Sequence, residues 1–282
     1  MRTLVFGCKG QLGRDLLSQF GALGLAKGVD LPECDIAEEH DVSAAFQQFH
    51  PELVVNAAAY TDVEAAEDHR DAAFRVNETG ASRIAKTAQM AHCPVVYFST
   101  DFVFDGQTHR PYESDDTIRP LSVYGESKAA GEAATRAAND RHFIIRTAWL
   151  YGPTGNNFVE KILRAAKQRP ELRVVDDEVG SPTHTWDLAE ATVALCRTST
   201  YGTYHAVNAG ACSRFDLAKE VMVLAGLHTP VVPCKASAFP AKAKRPAYSV
   251  LSNARLEAAT GYVMRPWLDA LKHYVTRRET TS

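Results

Sequence analysis

The sequence predicts an α/β fold in which a doubly wound parallel sheet carries helices on both faces, followed by a smaller C-terminal lobe. Three observations support this prediction: strand-like and helix-like segments alternate from the start, residues 53–57 have the composition of a buried strand, and a glycine-rich turn joins the first strand to the first helix. Alternating strands and helices favour a parallel sheet. A chain of 282 residues has room for both units.

The first predicted unit is a strand, a glycine turn and a helix. Residues 2–6 are β-branched and aromatic, Gly7, Gly10 and Gly13 follow at intervals of three, and residues 14–20 carry Leu and Phe at helical spacing. A dinucleotide fingerprint needs this context, because its glycines permit a tight turn, backbone approach to a pyrophosphate and close helix packing. The helix N-terminus would face the phosphates. The sequence therefore predicts a Rossmann-type domain.

The remaining elements continue the alternation along the chain. Further strands are predicted at 53–57, 94–99 and 142–146, with a possible sixth at 172–175. Residues 63–90 predict a helical segment, and residues 266–278 an amphipathic helix whose apolar stripe we expect in the core. We place a dinucleotide-binding domain at 1–150 and a mainly substrate-binding lobe at 151–282, from which the chain can cross back to the first domain.

A carboxylate lies about 20 residues after the glycine turn, where an acid binds the adenosine ribose in dinucleotide-binding folds. Asp30 occupies that position at the end of the second strand. It favours NAD, because a carboxylate repels a 2′-phosphate. Lys9, inside the glycine turn, has the opposite effect, because an ammonium there can reach that phosphate. The sequence leaves the choice between NADH and NADPH open.

Tyr124 and Lys128 are four residues apart, so on a helix they share one face. A free tyrosine ionises near pH ~10, and we expect the neighbouring ammonium to lower that pKa. The pair can then act as a general acid or base. Thr100, 24 residues earlier at the end of the fourth strand, carries a hydroxyl that can reach a substrate carbonyl oxygen; Ser99 is the alternative.

Composition argues against several other classes of function. A net charge of −3 gives no sign of nucleic-acid binding, and no apolar run approaches the length of a membrane span. Met1 leads directly into the first strand, so we expect no signal peptide. The six cysteines and ten histidines lack metal-ligand spacing, which predicts reduced thiols, no metal site and a cytoplasmic location.

Together these motifs resemble the dTDP-4-dehydrorhamnose reductases, which belong to the extended branch of the short-chain dehydrogenase/reductase family. The resemblance is carried by residues 7–13, 55–64, 98–106, 120–128, 146–152, 155–158, 177–183 and 244–246. Phe102 departs from the pattern, since the family usually has Tyr after Ser-Thr-Asp.

The resemblance implies reduction of the 4-keto group of dTDP-4-dehydro-L-rhamnose by NADPH or NADH, in nucleotide-sugar synthesis for cell-surface polysaccharide. Tyr124 would donate the proton, with Lys128 and Thr100 assisting. The implied cofactor-lining residues are Gly10, Gln11, Leu12, Asp30, Asp35, Ile36, Ala59, Tyr60, Thr61, Phe98, Tyr124 and Lys128. The substrate would meet Thr100, Asp101, Trp149, Asn157 and Arg245.

Several alternatives stay open on the sequence alone. Asp101 can contact the sugar or cap its loop, Trp149 can stack on the sugar or bridge the lobes, and the basic loop around Arg245 can bind a diphosphate or simply be solvated. A related reductase of other stereochemistry is one alternative function. Another is a noncatalytic subunit like the methionine adenosyltransferase β subunit, although the intact Thr100, Tyr124 and Lys128 argue against it. A homodimer is possible.

Overall fold

The computed structural model describes residues 1–279. The strands, in chain order, are β1 (Arg2–Phe6), β2 (Leu25–Val29), β3 (Leu53–Asn56), β4 (Val95–Thr100), β5 (His142–Thr147), β6 (Leu150–Tyr151), β7 (Leu172–Val175), β8 (Val179–Gly180), β9 (Thr183–His184), β10 (Gly202–His205), β11 (Cys212–Ser213) and β12 (Val231–Cys234). The main sheet has the order β2-β1-β3-β4-β5-β10, and each pair of neighbours is parallel.

The α-helices are α1 (Gln11–Gly21), α2 (Glu39–Phe49), α3 (Val63–Asp68), α4 (Arg70–Phe74), α5 (Ala81–Met90), α6 (Val123–Ala138), α7 (Phe158–Ala166), α8 (Thr185–Cys196), α9 (Arg214–Leu224), α10 (Ala254–Thr260) and α11 (Trp267–Glu279). Successive side chains of β1 face opposite sides of the sheet: Val5 packs with α1, α8 and α10, whereas Leu4 and Phe6 pack with α2 and α5. The predicted doubly wound α/β fold is confirmed. Within residues 1–279, no helix has the length and apolar character needed to cross a membrane.

The sixth strand of the main sheet is not the segment that the sequence suggested. Strand β7 pairs instead with β12 in a separate two-stranded parallel sheet. Its side chains alternate, with Leu172 and Val174 buried and Arg173 exposed, and this pattern suits a strand that is covered on one face only. The main sheet takes β10 beside β5, so residues after 150 contribute to it as well.

A second core forms the smaller lobe. Apolar side chains of α7, β7, α9 and α11 pack together there, and the buried members of α11 are Leu271, Tyr274 and Val275. The amphipathic tail helix therefore packs into a core, in agreement with the role expected from its apolar stripe.

The long helical segment between β3 and β4 is interrupted by a π-helical turn at Arg75–Gly80. Asn77 in this turn accepts a hydrogen bond from the Tyr60 backbone N–H at 2.9 Å and donates to the Tyr60 carbonyl at 3.1 Å. Its amide also donates to Ser127 Oγ at 2.9 Å. One side chain thus joins the loop after β3 to α6.

A buried ion pair fixes α6 against β5. Arg146 donates to Glu132 through Nε and Nη2, both at 2.8 Å, and the two side chains are only 4% and 1% exposed. Arg146 also donates to the Ser114 carbonyl at 3.1 Å. Removing one partner of such a pair leaves an uncompensated buried charge, which costs about 3–5 kcal/mol.

We therefore predict that Glu132→Gln lowers the free energy of unfolding by about 3–5 kcal/mol, measured by urea denaturation. Combining it with Arg146→Met should recover most of the loss, because neither charge then stays unpaired. Glu126→Gln on the same helix is the control, since its pair with Arg70 is exposed and should contribute little. Equal losses for Glu132→Gln and Glu126→Gln would contradict this account of the pair.

Candidate active site

A cavity of about 810 Å³ opens where β1, β3, β4 and β5 end. Ligands bind at the carboxyl ends of strands in open parallel sheets, because the loops there diverge and leave a crevice. The cavity wall contains all but one of the predicted site residues: Gly7, Gly10, Gln11, Leu12, Gly13, Asp30, Asp35, Ile36, Ala59, Tyr60, Thr61, Phe98, Thr100, Asp101, Tyr124, Lys128, Trp149 and Arg245.

The glycine turn has the shape that a dinucleotide pyrophosphate requires. Gly7 has φ +78°, and a Cβ there would collide with the Ala58 backbone; a Cβ on Gly13 would collide with the Gly7 carbonyl. Helix α1 begins at Gln11, and its N-cap residue Gly10 has no capping side chain. The N–H groups of a first helical turn have no partner within the helix, and Gln11, Leu12 and Gly13, which carry them here, line the cavity.

The acidic residues beyond the turn are held by backbone N–H groups. Asp30 accepts from Lys9 N and Leu31 N, both at 2.8 Å. Asp35 accepts from Ala37 N at 2.9 Å and from Arg75 Nη2 at 2.8 Å. Burial acts to raise the pKa of Asp35, but these two hydrogen bonds outweigh it and the pKa is lowered. Asp35 is therefore held as a carboxylate in the cavity wall.

Tyr124 and Lys128 lie on α6, one turn apart, and both reach the cavity. Lys128 Nζ donates to the Phe98 carbonyl at 2.6 Å and lies 4.3 Å from the centre of the Tyr97 ring. The Tyr124 ring packs edge-on against Phe102, with 5.5 Å between centroids. The position where the family usually has Tyr thus contributes an apolar contact to Tyr124.

The pKa of Tyr124 shifts in the direction opposite to the one expected from the sequence. Burial raises the pKa of Tyr124 to about 12, opposed by a hydrogen bond with Thr100. Burial also lowers the pKa of Lys128 to about 7, opposed by the Glu132 carboxylate. The effect of burial on the pKa of Tyr124 exceeds the expected effect of the Lys128 ammonium, because both groups are withdrawn from water. At neutral pH Tyr124 is protonated, which is the form that donates a proton.

A chain of hydrogen bonds orients Thr100. Its hydroxyl donates to Asp101 Oδ1 at 3.0 Å and accepts from Phe102 N at 3.2 Å, while Ser249 Oγ donates to Asp101 Oδ2 at 2.6 Å. Asp101 is buried, and desolvation raises its pKa against the opposing hydrogen bonds from Ser249 and Thr100. Ser99 Oγ is enclosed and finds no hydrogen-bond partner within the part of the chain that the structure describes. The geometry therefore favours Thr100 over Ser99.

Trp149 stands between this cavity and a second one of about 630 Å³. The guanidinium carbon of Arg214 lies 3.4 Å from the Trp149 ring centre, and Arg214 borders both cavities. Burial lowers the pKa of Arg214 to about 10, so the guanidinium keeps its charge at neutral pH. Trp149 has φ +48°, and a Cβ on Gly180 would lie 2.5 Å from its indole Cε2.

Two predicted substrate residues have protein partners. Arg245 Nη2 donates to Glu64 Oε1 at 2.6 Å, and Lys242 N donates to Glu64 Oε2 at 2.9 Å, so the loop carrying Arg245 is tied to α3. Asn157 is the residue that lies outside the cavity wall. It caps α7, accepting from Glu160 N at 3.1 Å and donating to the Gly152 carbonyl at 3.0 Å.

Comparisons with known proteins identify the family. The family model described as RmlD substrate binding domain matches residues 1–280. The chain belongs to the RmlD family. The spore coat polysaccharide biosynthesis protein SpsK of Bacillus subtilis (strain 168) is 39% identical over 280 residues, which cover 99% of this chain and 98% of the relative.

Two crystal structures of dTDP-4-dehydrorhamnose reductases are similar over their whole length. The one from Clostridium acetobutylicum is 39% identical with a TM-score of 0.96, covering 99% of this chain and 100% of the other. The one from Bacillus anthracis, in complex with NADP, is 36% identical with a TM-score of 0.95, covering 98% and 99%. The resemblance drawn from the motifs is confirmed.

Sequence reasoning missed three residues that support the site in this RmlD family member. Asn77, Ser249 and Arg214 contact the predicted residues only through the folded chain: Asn77 from a π turn, Ser249 and Arg214 from the C-terminal half. None of the three belongs to a segment in which the spacing of residues indicates a catalytic or ligand-binding motif. The i+4 spacing of Glu132 from Lys128 was a signal, since it continues the stripe that begins at Tyr124.

The buried Lys128 predicts a pH dependence of stability. Its pKa is about 7 in the folded protein and 10.5 in the unfolded chain, so between these values the unfolded chain binds more protons. Raising the pH removes that advantage and stabilises the folded state, by at most about 1.4 kcal/mol per pH unit. The free energy of unfolding of the wild type minus that of Lys128→Met should therefore rise from pH 7.5 to 9.5. It should be constant below pH 6. A difference that stays flat or falls between pH 7.5 and 9.5 would show that the pKa of Lys128 is not lowered in the folded protein.

We also predict that Gly180→Ala displaces the Trp149 indole and raises at least tenfold the KM for the substrate that contacts this ring, while KM for the dinucleotide changes less than about twofold. The reason is that the added Cβ would lie 2.5 Å from the ring. Atoms cannot pack that closely, so the indole has to move. Gly21→Ala is the matched control, since a Cβ there meets nothing within 4 Å. Equal KM values for Gly180→Ala and Gly21→Ala would remove Trp149 from the substrate site.

Proposed function

We propose that this chain reduces the 4-keto group of dTDP-4-dehydro-L-rhamnose to dTDP-L-rhamnose with NADPH or NADH. The observation that carries the proposal is one cavity in which Thr100, Tyr124 and Lys128 lie at the sheet edge, with the glycine turn in the same wall. The names of the two similar crystal structures support it. The cytoplasmic location and the possible homodimer stay predictions.

The shape of the pocket fits a dinucleotide. The turn leaves no room for a side chain at Gly7 or at Gly13, and the start of α1 offers N–H groups to a pyrophosphate. Asp30 would hold the adenosine ribose, Asp35 and Ile36 the adenine, and Ala59 to Thr61, with Phe98, the remainder. When bound, the nicotinamide cofactor supplies a hydride to the ketone carbon. The Bacillus anthracis relative was crystallised with NADP.

Tyr124 is the proton donor in this proposal. As the ketone is reduced its oxygen gains negative charge, and the protonated phenol neutralises that charge by transferring its proton. The phenolate left behind is favoured by the ammonium form of Lys128 on the next turn of α6. A raised pKa keeps Tyr124 protonated through the neutral range, so the donor is ready whenever substrate is bound.

Thr100 supplies a second hydrogen bond to the same oxygen. Its one hydroxyl proton points to Asp101 in the structure, so donation to the ketone requires the hydroxyl to rotate toward the cavity. The hydrogen bond from Phe102 N to the Thr100 oxygen does not use that proton and can persist through the rotation. A donor aimed at developing charge typically contributes a factor of about 10² to 10³ in turnover.

The other end of the substrate would meet aromatic and basic groups. Trp149 offers an indole face to the deoxysugar, and Arg245 and Arg214 offer guanidinium groups to the diphosphate, which they can bind in a fork. Arg245 would exchange its bond to Glu64 for a bond to phosphate. Asn157 would act through the cap of α7, because its side chain is already hydrogen-bonded within the protein.

Tyr124→Phe should keep dinucleotide affinity within about twofold of wild type while turnover falls by at least ~10³, because only the transferable proton is removed. Turnover is followed as loss of absorbance at 340 nm with the keto sugar nucleotide. Product NMR then distinguishes the rhamnose product from a stereoisomer such as the 6-deoxytalose.

Tyr201→Phe is the control for this substitution, since Tyr201 packs against Phe143 away from the cavity. Normal ketone reduction by Tyr124→Phe would remove Tyr124 from the reaction. Absence of turnover in the wild type, together with intact dinucleotide binding, would favour the noncatalytic subunit.

A further inference from the structure

We propose that Glu33 holds the Lys9 ammonium and thereby makes the ribose end of the pocket favour NADH over NADPH. The inference rests on the proposed function, because it concerns the same dinucleotide site. In the sequence, Asp30 and Lys9 have opposite effects on the cofactor preference, and no pattern there connects Glu33 with either of them. The structure places the Glu33 carboxylate on that lysine.

The contacts of Lys9 engage its ammonium within the protein. Lys9 Nζ lies 2.7 Å from Glu33 Oε2 and donates to the Leu31 carbonyl at 2.6 Å. Both of these partners follow β2, so the lysine is tethered across the gap between the glycine turn and the second strand. An ammonium has three donors, and two of them are used. Lys9 lines the cavity, and its backbone N–H is bonded to Asp30, the residue proposed to hold the adenosine ribose.

The charges at this end of the pocket disfavour a further phosphate. Asp30 and Glu33 contribute two negative charges and Lys9 one positive charge, which leaves a net charge of −1 for the three groups. The hydrogen bond to Glu33 raises the pKa of Lys9, and the bond to Lys9 lowers the pKa of Glu33, so both are ionised at neutral pH. A 2′-phosphate would find one remaining donor on the Lys9 ammonium and would face two carboxylates, those of Asp30 and Glu33.

The expected size of the preference is modest because the pair is on the surface. The Lys9 and Glu33 side chains are 53% and 66% exposed, and solvent screens such pairs strongly. A phosphate can therefore compete for Lys9 at some loss of affinity, which is compatible with use of both cofactors. Asp30 is the more rigid element, since both of its oxygens accept backbone N–H groups. Glu33 acts on the cofactor through Lys9 and is a positioning residue.

A double-mutant cycle on the intact protein tests this arrangement. The dissociation constants of NADP⁺ and NAD⁺ are measured by titration calorimetry at low salt for the wild type, Glu33→Gln, Lys9→Gln and the double variant. The wild type should bind NAD⁺ more tightly than NADP⁺. Glu33→Gln should tighten NADP⁺ about three- to tenfold and leave NAD⁺ within twofold, because it frees the ammonium and removes one carboxylate.

The lysine substitution gives the sharper readout. Lys9→Gln should change NADP⁺ binding less than twofold in the wild type, where the ammonium is engaged, yet it should abolish most of the gain in the Glu33→Gln background. Raising ionic strength to 0.5 M should shrink the gain, because added salt screens exposed charges. Glu52→Gln is the control, since that carboxylate pairs with Arg2 and Met1 at the opposite end of β1.

The proposal is wrong if Lys9→Gln weakens NADP⁺ binding equally in both backgrounds, because Lys9 would then contact the phosphate despite Glu33. It is also wrong if Glu33→Gln alters NAD⁺ and NADP⁺ alike. These binding measurements need no turnover. A chain that shows the coupling but does not reduce the keto sugar would overturn the proposed function alone, and a chain that turns over without the coupling would overturn this inference alone.

Discussion

The packing of α6 against the sheet depends on buried polar side chains that find partners in a place without water. Lys128 is 3% exposed and is held by the Phe98 carbonyl, and Glu132, one turn further on, is held by Arg146 of β5. A buried charge without a partner costs several kcal/mol, so α6 has little freedom to rotate or slide along the sheet. Tyr124, on the same stripe of the helix, is therefore presented to the cavity by interactions that lie behind it.

The same burial determines the chemistry available to the pair. In water a tyrosine and a lysine would both ionise near pH ~10. On α6 withdrawal from water favours the neutral form of each, which moves the two pKa values apart in opposite directions. The tyrosine then holds its proton until charge develops on a neighbouring oxygen. A donor that is positioned in advance needs no reorganisation at that moment, and this is the main source of electrostatic catalysis in such sites.

The parts of the site that the sequence predicted are those fixed by local geometry. Gly7 adopts φ +78°, a conformation that suits glycine, and Tyr124 and Lys128 meet because helical residues four apart share a face. The partners that orient them were not predicted, since Asn77, Ser249 and Arg214 reach the site only after distant segments pack. The strand at residues 172–175 was assigned to the wrong sheet for the same reason. Its alternating apolar side chains predict a strand, but the sheet that the strand joins depends on distant segments.

The chain after residue 150 also contributes to the cavity at the ends of the main-sheet strands. Ser249 crosses from that half to the buried Asp101, and Asp101 in turn holds Thr100. Arg245, four residues before Ser249, is bonded to Glu64 of α3. The short segment from Arg245 to Ser249 thus makes one hydrogen bond to α3 and another to the buried carboxylate beside Thr100. The site at the sheet edge is therefore completed by a segment far along the chain, and no local pattern in the sequence could place it there.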